Sequence, residues 1–351
     1  MTRDRTYLDW NATAPLRPEA RAATLDALDL AGNPSSVHAE GRAARGLVER
    51  ARGQVAAALG CKPTEVIFTS GATEAASVLS RFGGVAVAGT AHDCLWAHRR
   101  DAPQIGVYAM GLANSETGVL TEPPARGADG WPCAGGRAQL LMLDVVQAVG
   151  RVPFSFAWSG ADMAIVSAHK LGGPKGVGAL ILRDGLDIPA LSLGGGQELG
   201  RRSGTENVAG IAGFGAAAEA AQRDMEAGVW VRVEKLRKIL EDALASGGKE
   251  IIFVGKDDPR LPNTSCFAVP GWKGETQVMQ MDLAGFAISA GSACSSGKVK
   301  TSRVLLEMGF DATTAASAIR VSLGPGTSEE DVARFAEAWL ARLAKHRARA
   351  A

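Results

Sequence analysis

The clearest signal in the sequence is a repeated alternation of short apolar segments and helical patterns. Candidate strands cover residues 65–69, 85–88, 106–109, 140–143, 163–166 and 177–182. They are short, and many end at Gly, Ser or Thr, which is typical of buried strands. Because helical patterns lie between them, we expect a mostly parallel sheet with helices on both faces, which is an α/β fold.

The composition is that of a folded chain with about two domains. The 351 residues are 46% hydrophobic and 21% charged, which excludes intrinsic disorder. Lysine and arginine together number 38, and aspartate and glutamate 37. Such a balance excludes a protein that holds polyanions by bulk charge alone, so we expect no direct nucleic-acid partner.

Signals for a membrane span, a secretory leader or a metal are weak. The longest uncharged stretch, 283–297, is too short and too rich in serine to cross a bilayer, and the first ten residues lack the apolar core of a secretory signal. The cysteines form no C-x-x-C pair; they are Cys61, Cys94, Cys133, Cys266 and Cys294. We expect reduced thiols, no zinc, and a cytoplasmic location.

A second domain is predicted after an alanine-rich helical region at 207–247. Shorter strands follow at 251–254, 265–269, 286–289 and 319–323. Ser328 and Asp331 form a capping box for a last helix, whose buried face is Val332, Phe335, Trp339 and Leu343. We expect a large domain over 13–226 and a smaller α+β domain over 1–12 and 227–351, which carries the Cys294 loop.

A helix with an apolar stripe is predicted from Ala43 to Leu59, ending at Gly60. It also carries several arginines, namely Arg42, Arg45, Arg50 and Arg52. These could bind an anion, but a solvated helix face is the simpler interpretation.

Three polar elements follow predicted strands. Ser70-Gly-Ala-Thr73 joins a strand to a helix, a step that aims backbone N–H groups and a hydroxyl at one point and often binds phosphate. The same residues could simply cap the helix. Asp144, with Gln147 close behind it, ends a buried strand where open α/β sheets bind ligands. A helix cap is the alternative for Asp144.

The third element is Lys170, which follows a strand and lies in Ser167-Ala-His169-Lys170 before a glycine-rich turn. It is a candidate amine nucleophile, and a surface lysine is the alternative. A phosphate cradle, a carboxylate and an amine are what a phosphorylated pyridine aldehyde needs as its anchor, its ring-nitrogen partner and its Schiff-base lysine. The sequence therefore predicts pyridoxal phosphate as cofactor.

The chain resembles the cysteine desulfurases of the nitrogen-fixation and iron–sulfur-assembly type, which are class V aminotransferases. The matching segments are YLDWNAT at 7–13, NPSSVH at 33–38, FTSGATEA at 68–75, NSETG at 114–118, DVVQ at 144–147, SAHK at 167–170, GGPKG at 172–176, GGGQE at 194–198, RSGT at 202–205, GSAC at 291–294 and IRVSLG at 319–324. The resemblance implies fold type I of the pyridoxal phosphate enzymes, with a seven-stranded sheet in the large domain.

The resemblance also implies roles for individual residues. Lys170 carries the cofactor, while Asp144 pairs with its ring nitrogen and Gln147 with its ring hydroxyl. His92 stacks on the ring and shuttles protons, although a lone histidine is usually explained by packing. The phosphate is held by Ala72 (backbone), Thr73, Ser167 and His169, joined by Thr205 of the partner subunit in a homodimer. Asn114 contacts the cofactor and, with Arg320, the substrate carboxylate; taken alone, Arg320 could be a surface residue on an edge strand.

Cys294 decides which reaction the resemblance implies. It lies in the small, polar segment Ser292–Gly297, whereas Cys266 sits among bulky apolar residues that are typical of a buried structural thiol. The expected activity converts L-cysteine to L-alanine, with the sulfur held as a persulfide on Cys294 for an acceptor protein that serves iron–sulfur cluster assembly or thiolation.

Two kinds of alternative function remain. One is another pyridoxal phosphate reaction on the same scaffold, such as selenocysteine cleavage or amino transfer. The other is a weakly active subunit that acts as a scaffold or sulfur relay. The second interpretation is kept open by residues 119–143, which look shortened where relatives have a helix, and by Trp10, Val145 and Val146, which replace the usual residues.

Overall fold

The computed structural model of the protein describes residues 5–291 and 301–350. The helices are α1 Pro18–Leu28, α2 Ala39–Leu59, α3 Ala72–Ala76, α4 Asp93–Trp96, α5 Phe156–Ser159, α6 Val208–Glu226, α7 Val229–Ala245, α8 Gly274–Asp282, α9 Arg303–Glu307, α10 Ala312–Ser317 and α11 Glu329–Ala350. The strands are β1 Thr6–Tyr7, β2 Val66–Thr69, β3 Val85–Val87, β4 Ile105–Gly111, β5 Trp131–Cys133, β6 Gly136–Asp144, β7 Met163–Ser167, β8 Gly178–Leu182, β9 Ile252–Phe253, β10 Thr264–Ala268, β11 Phe286–Ala287, β12 Ser289–Ala290 and β13 Ala318–Ser322.

The chain divides into two compact units. The large unit comprises Ala14–Leu112 and Glu122–Ala227, and the small unit comprises the described residues of Met1–Thr13, Ala113–Thr121 and Gly228–Ala351. The segment Ala113–Thr121 thus groups with the small unit, whereas the sequence placed it in the large domain. The reason lies in long-range backbone pairing, because the Leu120 N–H donates to the Pro259 carbonyl and the Leu261 N–H to the Gly118 carbonyl, each at 2.8 Å.

A seven-stranded sheet forms the centre of the large unit. Its order is β2-β8-β7-β6-β4-β3, with β5 paired to β6. Strands β3, β4, β6 and β7 are parallel neighbours, while β8 runs antiparallel to both β7 and β2. Because β8 is antiparallel to both of its neighbours, β2 and β7 run in the same direction. The predicted mostly parallel sheet is confirmed, and its antiparallel members are β8 and the short β5, which pairs with β6.

Both faces of this sheet are buried, which explains the continuous apolar runs of its strands. Leu141 and Leu143 of β6 contribute to the core under α2 and α6, whereas Met142 between them belongs to the core on the opposite face. Helix α6 packs against α2 and α1. A Cβ at Gly215 would lie 2.7 Å from the Ala51 Cα, so glycine permits the close approach of α6 to α2.

Helix α2 confirms the predicted apolar stripe except at Ala43, which is exposed, and its stop at Gly60 has a simple cause. Gly60 has φ +62°, in the left-handed region that glycine adopts without strain. The prediction of a solvated arginine face is wrong for Arg52, which is buried, while Arg42, Arg45 and Arg50 are exposed.

The small unit contains two further sheets. One pairs β1 with β11, and the other has the order β12-β13-β10-β9. The single strand predicted at 286–289 is therefore two strands that pair in different sheets. The predicted capping box is confirmed, because the Asp331 N–H donates to Ser328 Oγ (3.1 Å) and the Ser328 N–H to Asp331 Oδ2 (3.0 Å). The predicted inner face of α11 is also fully buried.

Residues 131–144 form a β-hairpin, β5–β6, which the sequence did not predict. Trp131 pairs with Ala138 and Cys133 with Gly136. The turn needs glycine, since Gly135 has φ +89°.

Among residues 5–291 and 301–350, no helix combines the length and the apolar character needed to cross a membrane.

Candidate active site

The carboxyl ends of β2, β6 and β7 lie at the same edge of the large unit's sheet. In the register of these strands, Thr69 at the end of β2 and Ser167 at the end of β7 both stand opposite Gly178, the first residue of β8. Asp144 ends β6 and pairs with Ile165, two residues before Ser167. The three polar elements predicted from the sequence therefore follow strand ends at one edge of the sheet, where α/β sheets bind ligands.

Two glycines, Gly71 and Gly178, allow backbone segments to approach each other closely at this edge. A Cβ at Gly178 would lie 2.7 Å from the Cα of Gly71, so any side chain at this position would collide with the turn after β2. The same turn leads into α3, where Gly71 provides no side-chain cap for the N–H groups of the first turn. Ser167 is buried nearby, with its hydroxyl 3.9 Å from the position of a Cβ on Gly71, and Thr73 is exposed. This arrangement is a cradle of backbone and hydroxyl donors that suits a phosphate.

Asp144 is a buried carboxylate without a helix behind it. Its Oδ1 accepts a hydrogen bond from the Val146 N–H (2.9 Å), and residues 146–150 form turns, so the helix-cap interpretation is wrong. Burial raises the pKa of Asp144 above its ordinary value, although the nearby charges of His92 and Lys170 oppose this effect. A buried carboxylate of this kind is stabilised by a cationic partner.

Lys170 lies in the turn Ala168–Lys170, which follows β7 directly. It is partly buried, so the interpretation as an ordinary surface lysine is not supported. Arg151 connects it to Gln147: the Arg151 Nη1 donates to Gln147 Oε1 (2.5 Å) and its Nη2 to the Lys170 carbonyl (3.2 Å). The sequence did not single out Arg151, although its position four residues after Gln147 was the available signal.

Two histidines belong to the same region. His92 is the N-cap of α4, and its Nδ1 accepts a hydrogen bond from the Cys94 N–H (3.1 Å). This bond places the proton of a neutral His92 ring on Nε2. His169 behaves differently, because burial first and then the charges of Lys170 and Lys175 lower its pKa to about 4. His169 is therefore neutral at pH 7.

The lowered pKa of His169 predicts a pH dependence of stability. A histidine in an unfolded chain has a pKa of ~6.5. Between pH 6.5 and 4, the unfolded cofactor-free chain therefore binds a proton at position 169 that the folded chain does not bind. The free energy of unfolding should fall over this range as pH is lowered. In His169→Asn this contribution is absent. Urea unfolding at pH 7 and 4.5 should show wild type losing more stability than the variant, and an equal loss in both would contradict the assignment.

A buried ion pair ties the loop at 197–205 to the sheet. Arg52 of α2 meets Glu198 through two hydrogen bonds, from Nη1 (2.8 Å) and from Nη2 (3.0 Å), and Arg52 Nη1 also donates to the Val66 carbonyl (2.8 Å). The Phe68 N–H donates to Glu198 Oε2 (2.9 Å). Glu198 and Leu199 adopt φ +49° and +59°, which non-glycine residues rarely do. The ion pair thus holds a strained loop beside β2.

A second ion pair reaches the cradle from the same loop. Arg202 Nε donates to Glu74 Oε1 (2.9 Å), and the Ser70 N–H donates to Glu74 Oε2 (2.6 Å). Hydrogen bonds from Arg202 and Ser70 lower the pKa of Glu74, against the opposing effect of burial. Thr205 follows in this loop and is exposed. The sequence missed Glu74, Arg202, Arg52 and Glu198 as positioning residues because ion pairs across long sequence distances leave no local pattern.

Removing one partner of the buried pair should destabilise the fold strongly. In Arg52→Met the Glu198 carboxylate, 2% exposed, loses its cation and the Val66 carbonyl loses its donor. We expect a loss of about 3–5 kcal/mol in the free energy of unfolding. Lys62→Met is the matched control, because the Lys62–Asp184 pair is exposed and such pairs contribute only about 0–1 kcal/mol. Equal urea midpoints for the two variants would contradict the prediction.

The predicted substrate-binding residues belong to the small unit. Arg320 is buried in β13, which lies between β12 and β10, so its interpretation as a surface residue is wrong. Its Nη2 donates to Asp9 Oδ1 (2.7 Å) and its Nη1 to the Ser115 carbonyl (2.9 Å), while its Nε is buried without a hydrogen-bond partner among the described residues. Asn114 Oδ1 accepts hydrogen bonds from the N–H groups of Glu116 (2.9 Å) and Thr117 (2.8 Å).

The described thiols are not suited to nucleophilic attack. Cys294 lies outside the described residues. Cys266 is fully buried, which confirms its predicted structural role, and burial raises its pKa well above the ordinary value. Burial also raises the pKa of Cys61 to about 12, and the pKa values of Cys94 and Cys133 are raised for the same reason. Within residues 5–291 and 301–350, no cluster of His, Cys, Asp or Glu is placed to hold a metal ion.

Comparison with known proteins identifies the family. Residues 6–84 and 103–335 match the family described as Aminotransferase class-V. A cysteine desulfurase from Frankia sp. (strain EuIK1) is 39% identical over 389 residues, covering 94% of this chain and 89% of the relative. One from Cereibacter sphaeroides is 37% identical over 373 residues, covering 95% and 94%. The crystal structure of a NifS-like protein from Rickettsia africae has a TM-score of 0.83 at 28% identity, covering 95% of this chain and 98% of that one. The chain therefore belongs to the class V aminotransferase family, among its cysteine desulfurases.

Proposed function

We propose that this chain is a cysteine desulfurase that uses pyridoxal phosphate to convert L-cysteine to L-alanine and holds the sulfur on Cys294. The observation that carries the proposal is the buried Asp144 carboxylate, which lies within the electrostatic reach of Lys170 and His92 at the carboxyl edge of the sheet. The relatives in the same family that bear the name cysteine desulfurase support it along nearly the full length of the chain.

The residues present fit pyridoxal phosphate. The buried Asp144, whose pKa burial raises, would hold the protonated ring nitrogen, because that cation offsets the cost of a desolvated carboxylate. Gln147 would bind the ring hydroxyl, and the cradle of Ala72, Thr73 and Ser167 would hold the phosphate. His169 is neutral at pH 7 and would donate to the phosphate as an uncharged ring. When bound, the cofactor supplies an electron sink next to the substrate's amino group.

The amine of Lys170 would hold the cofactor and later take the α-proton of the substrate as a base. Arg151 anchors the Lys170 carbonyl and Gln147 together, so it acts as a positioning residue for both. His92 presents Nε2–H, which suits a proton shuttle and a ring-stacking partner.

The carboxylate of L-cysteine would bind to Arg320 and Asn114. The Arg320 guanidinium is held by Asp9 and Ser115, and its buried Nε still lacks a hydrogen-bond partner among the described residues. A substrate carboxylate would satisfy that N–H, since an unpaired buried donor costs free energy.

The sulfur transfer itself belongs to Cys294. Its thiolate attacks the sulfur of L-cysteine, so that an S–S bond forms while the C–S bond breaks. The electron pair of the C–S bond stays with the substrate carbon, which takes up a proton and becomes the methyl group of L-alanine. Cys294 is left as a persulfide, ready to pass its outer sulfur to an acceptor protein.

We extend the proposal to the assembly and its setting. The chain would act as a homodimer in which the exposed Thr205 of the partner subunit joins the phosphate cradle. The free thiols of Cys61, Cys94, Cys133 and Cys266 agree with a reducing compartment, so we place the activity in the cytoplasm. The acceptor would serve iron–sulfur cluster assembly or thiolation.

Product analysis tests the proposal. Purified protein supplied with pyridoxal phosphate, L-cysteine and a thiol reductant should form L-alanine and sulfide in equal amounts. L-selenocysteine and a keto acid are offered in parallel reactions. Faster release of selenide than of sulfide, or amino transfer to the keto acid, would favour the alternative reactions on this scaffold. Absence of all products from protein that has bound the cofactor would indicate a sulfur-relay subunit instead.

A further inference from the structure

A cavity of about 480 Å³ lies in the small unit, between the start of α8 and the last turns of α11. This volume is within the ordinary range of small-molecule sites. Its basic lining residues are Lys273, Arg342, Lys345, His346 and Arg349. Thr276 and Gln280 are its other polar side chains, and none of its lining residues is acidic. We call this the basic cavity.

Two of the basic side chains are held in place. The Arg342 Nε donates to the Gln280 carbonyl (3.1 Å) and its Nη1 to the Ala338 carbonyl (2.7 Å), and Nη2 has no bond to another described residue. The His346 ring stacks on the buried indole of Trp272, with 5.3 Å between centroids and 12° between planes. A fixed guanidinium loses little conformational entropy when it binds an anion.

No ion pair among the described residues neutralises the positive charge of the basic cavity. Lys273, Lys345 and Arg349 form no ion pair there, although Arg347 on the same helix pairs with Glu250. The whole chain is close to neutral, with 38 basic and 37 acidic side chains, so this concentration of charge is local. Like charges grouped around one cavity repel each other, and a ligand with several negative charges would remove that repulsion.

We propose that the basic cavity binds a small molecule that carries a di- or triphosphate. A phosphate group concentrates between one and two negative charges on a few oxygens, and the uncommitted Nη2 of Arg342 can donate to such oxygens. One carboxylate would leave most of the positive charge uncompensated. The volume leaves room for an organic group beside the phosphates. The site is independent of the proposed reaction.

Calorimetric titration tests the site, using the protein loaded with pyridoxal phosphate so that the phosphate cradle is filled. The probes are inorganic tripolyphosphate, ADP and adenosine. Tripolyphosphate and ADP should bind and adenosine should not, and binding should weaken as salt rises. Arg342→Gln should raise the Kd for tripolyphosphate about tenfold, since the loss of one hydrogen bond between charged groups changes the dissociation constant by roughly that factor.

Lys345→Gln provides a second variant, because the exposed Lys345 side chain bonds to no other described residue and its loss does not threaten folding. Lys345→Gln should also raise the Kd for tripolyphosphate. The matched control is Arg347→Gln, which removes the same charge from the same helix but lies outside the cavity. No binding of tripolyphosphate at millimolar concentration, or an equal loss in Arg347→Gln and in the two cavity variants, would overturn the proposal.

Discussion

Lys170→Ala should lower L-alanine formation from L-cysteine by at least about 10⁴-fold, which is the scale of losing a catalytic nucleophile. The expected cause is the loss of both the covalent anchor of the cofactor and the base that takes the α-proton. Arg151 and the end of β7 remain in the variant, so the sheet edge should keep its form. The initial rate of alanine release measures the effect.

A second readout separates this chemical role from general damage. Borohydride should fix the cofactor covalently to wild type, and peptide mapping should find it on Lys170. Lys238→Ala is the control, since Lys238 is an exposed residue of α7 that pairs with Glu234, and it should keep both labelling and activity. Labelling at another lysine, or turnover in Lys170→Ala above a hundredth of wild type, would refute the assignment.

Cys294→Ala should lower the rate of sulfide release by at least about 10³-fold, while the protein still binds pyridoxal phosphate. The reason is that the attacking thiolate is lost and the other thiols cannot replace it. Burial raises the pKa of Cys61 to about 12, and it raises those of Cys94, Cys133 and Cys266 as well. These groups therefore stay protonated near pH 7. Sulfide release and the visible absorbance of the bound cofactor are measured together.

The control for this variant is Cys133→Ala, which removes a half-buried thiol from β5 and should leave sulfide release unchanged. Alkylation and mass spectrometry after a brief exposure to L-cysteine should find one additional sulfur atom on Cys294 of the wild type. Sulfide release at the wild-type rate from Cys294→Ala would show that the sulfur takes another route.

Much of the large unit could be predicted from local sequence patterns. Buried parallel strands are short apolar runs, and the position of Asp144 after such a run was enough to place it at the ligand-binding edge. Gly60 likewise marks the end of α2 because its backbone conformation has a local cause. Features of this kind depend on a few consecutive residues, so the sequence displays them directly.

Features that depend on distant partners were not predictable in the same way. Arg52 looks like its exposed neighbours Arg42 and Arg45, and only its pairing with Glu198, 146 positions away, makes it a buried residue. The segment Ala113–Thr121 follows the strand β4, yet its hydrogen bonds to Pro259 and Leu261 place it in the small unit. Such contacts are set by tertiary packing, which overrides local pattern.

The single interior strand that runs against its neighbours has a consequence for the width of the phosphate cradle. Adjacent strands are ~4.8 Å apart, so β8 keeps the ends of β2 and β7 roughly twice that distance from each other. Direct neighbours would leave no gap for a tetrahedral group with donors on both sides. Strand β8 thus separates the two strand ends, and Gly178, its first residue, lets the turn at Gly71 pack closely against it.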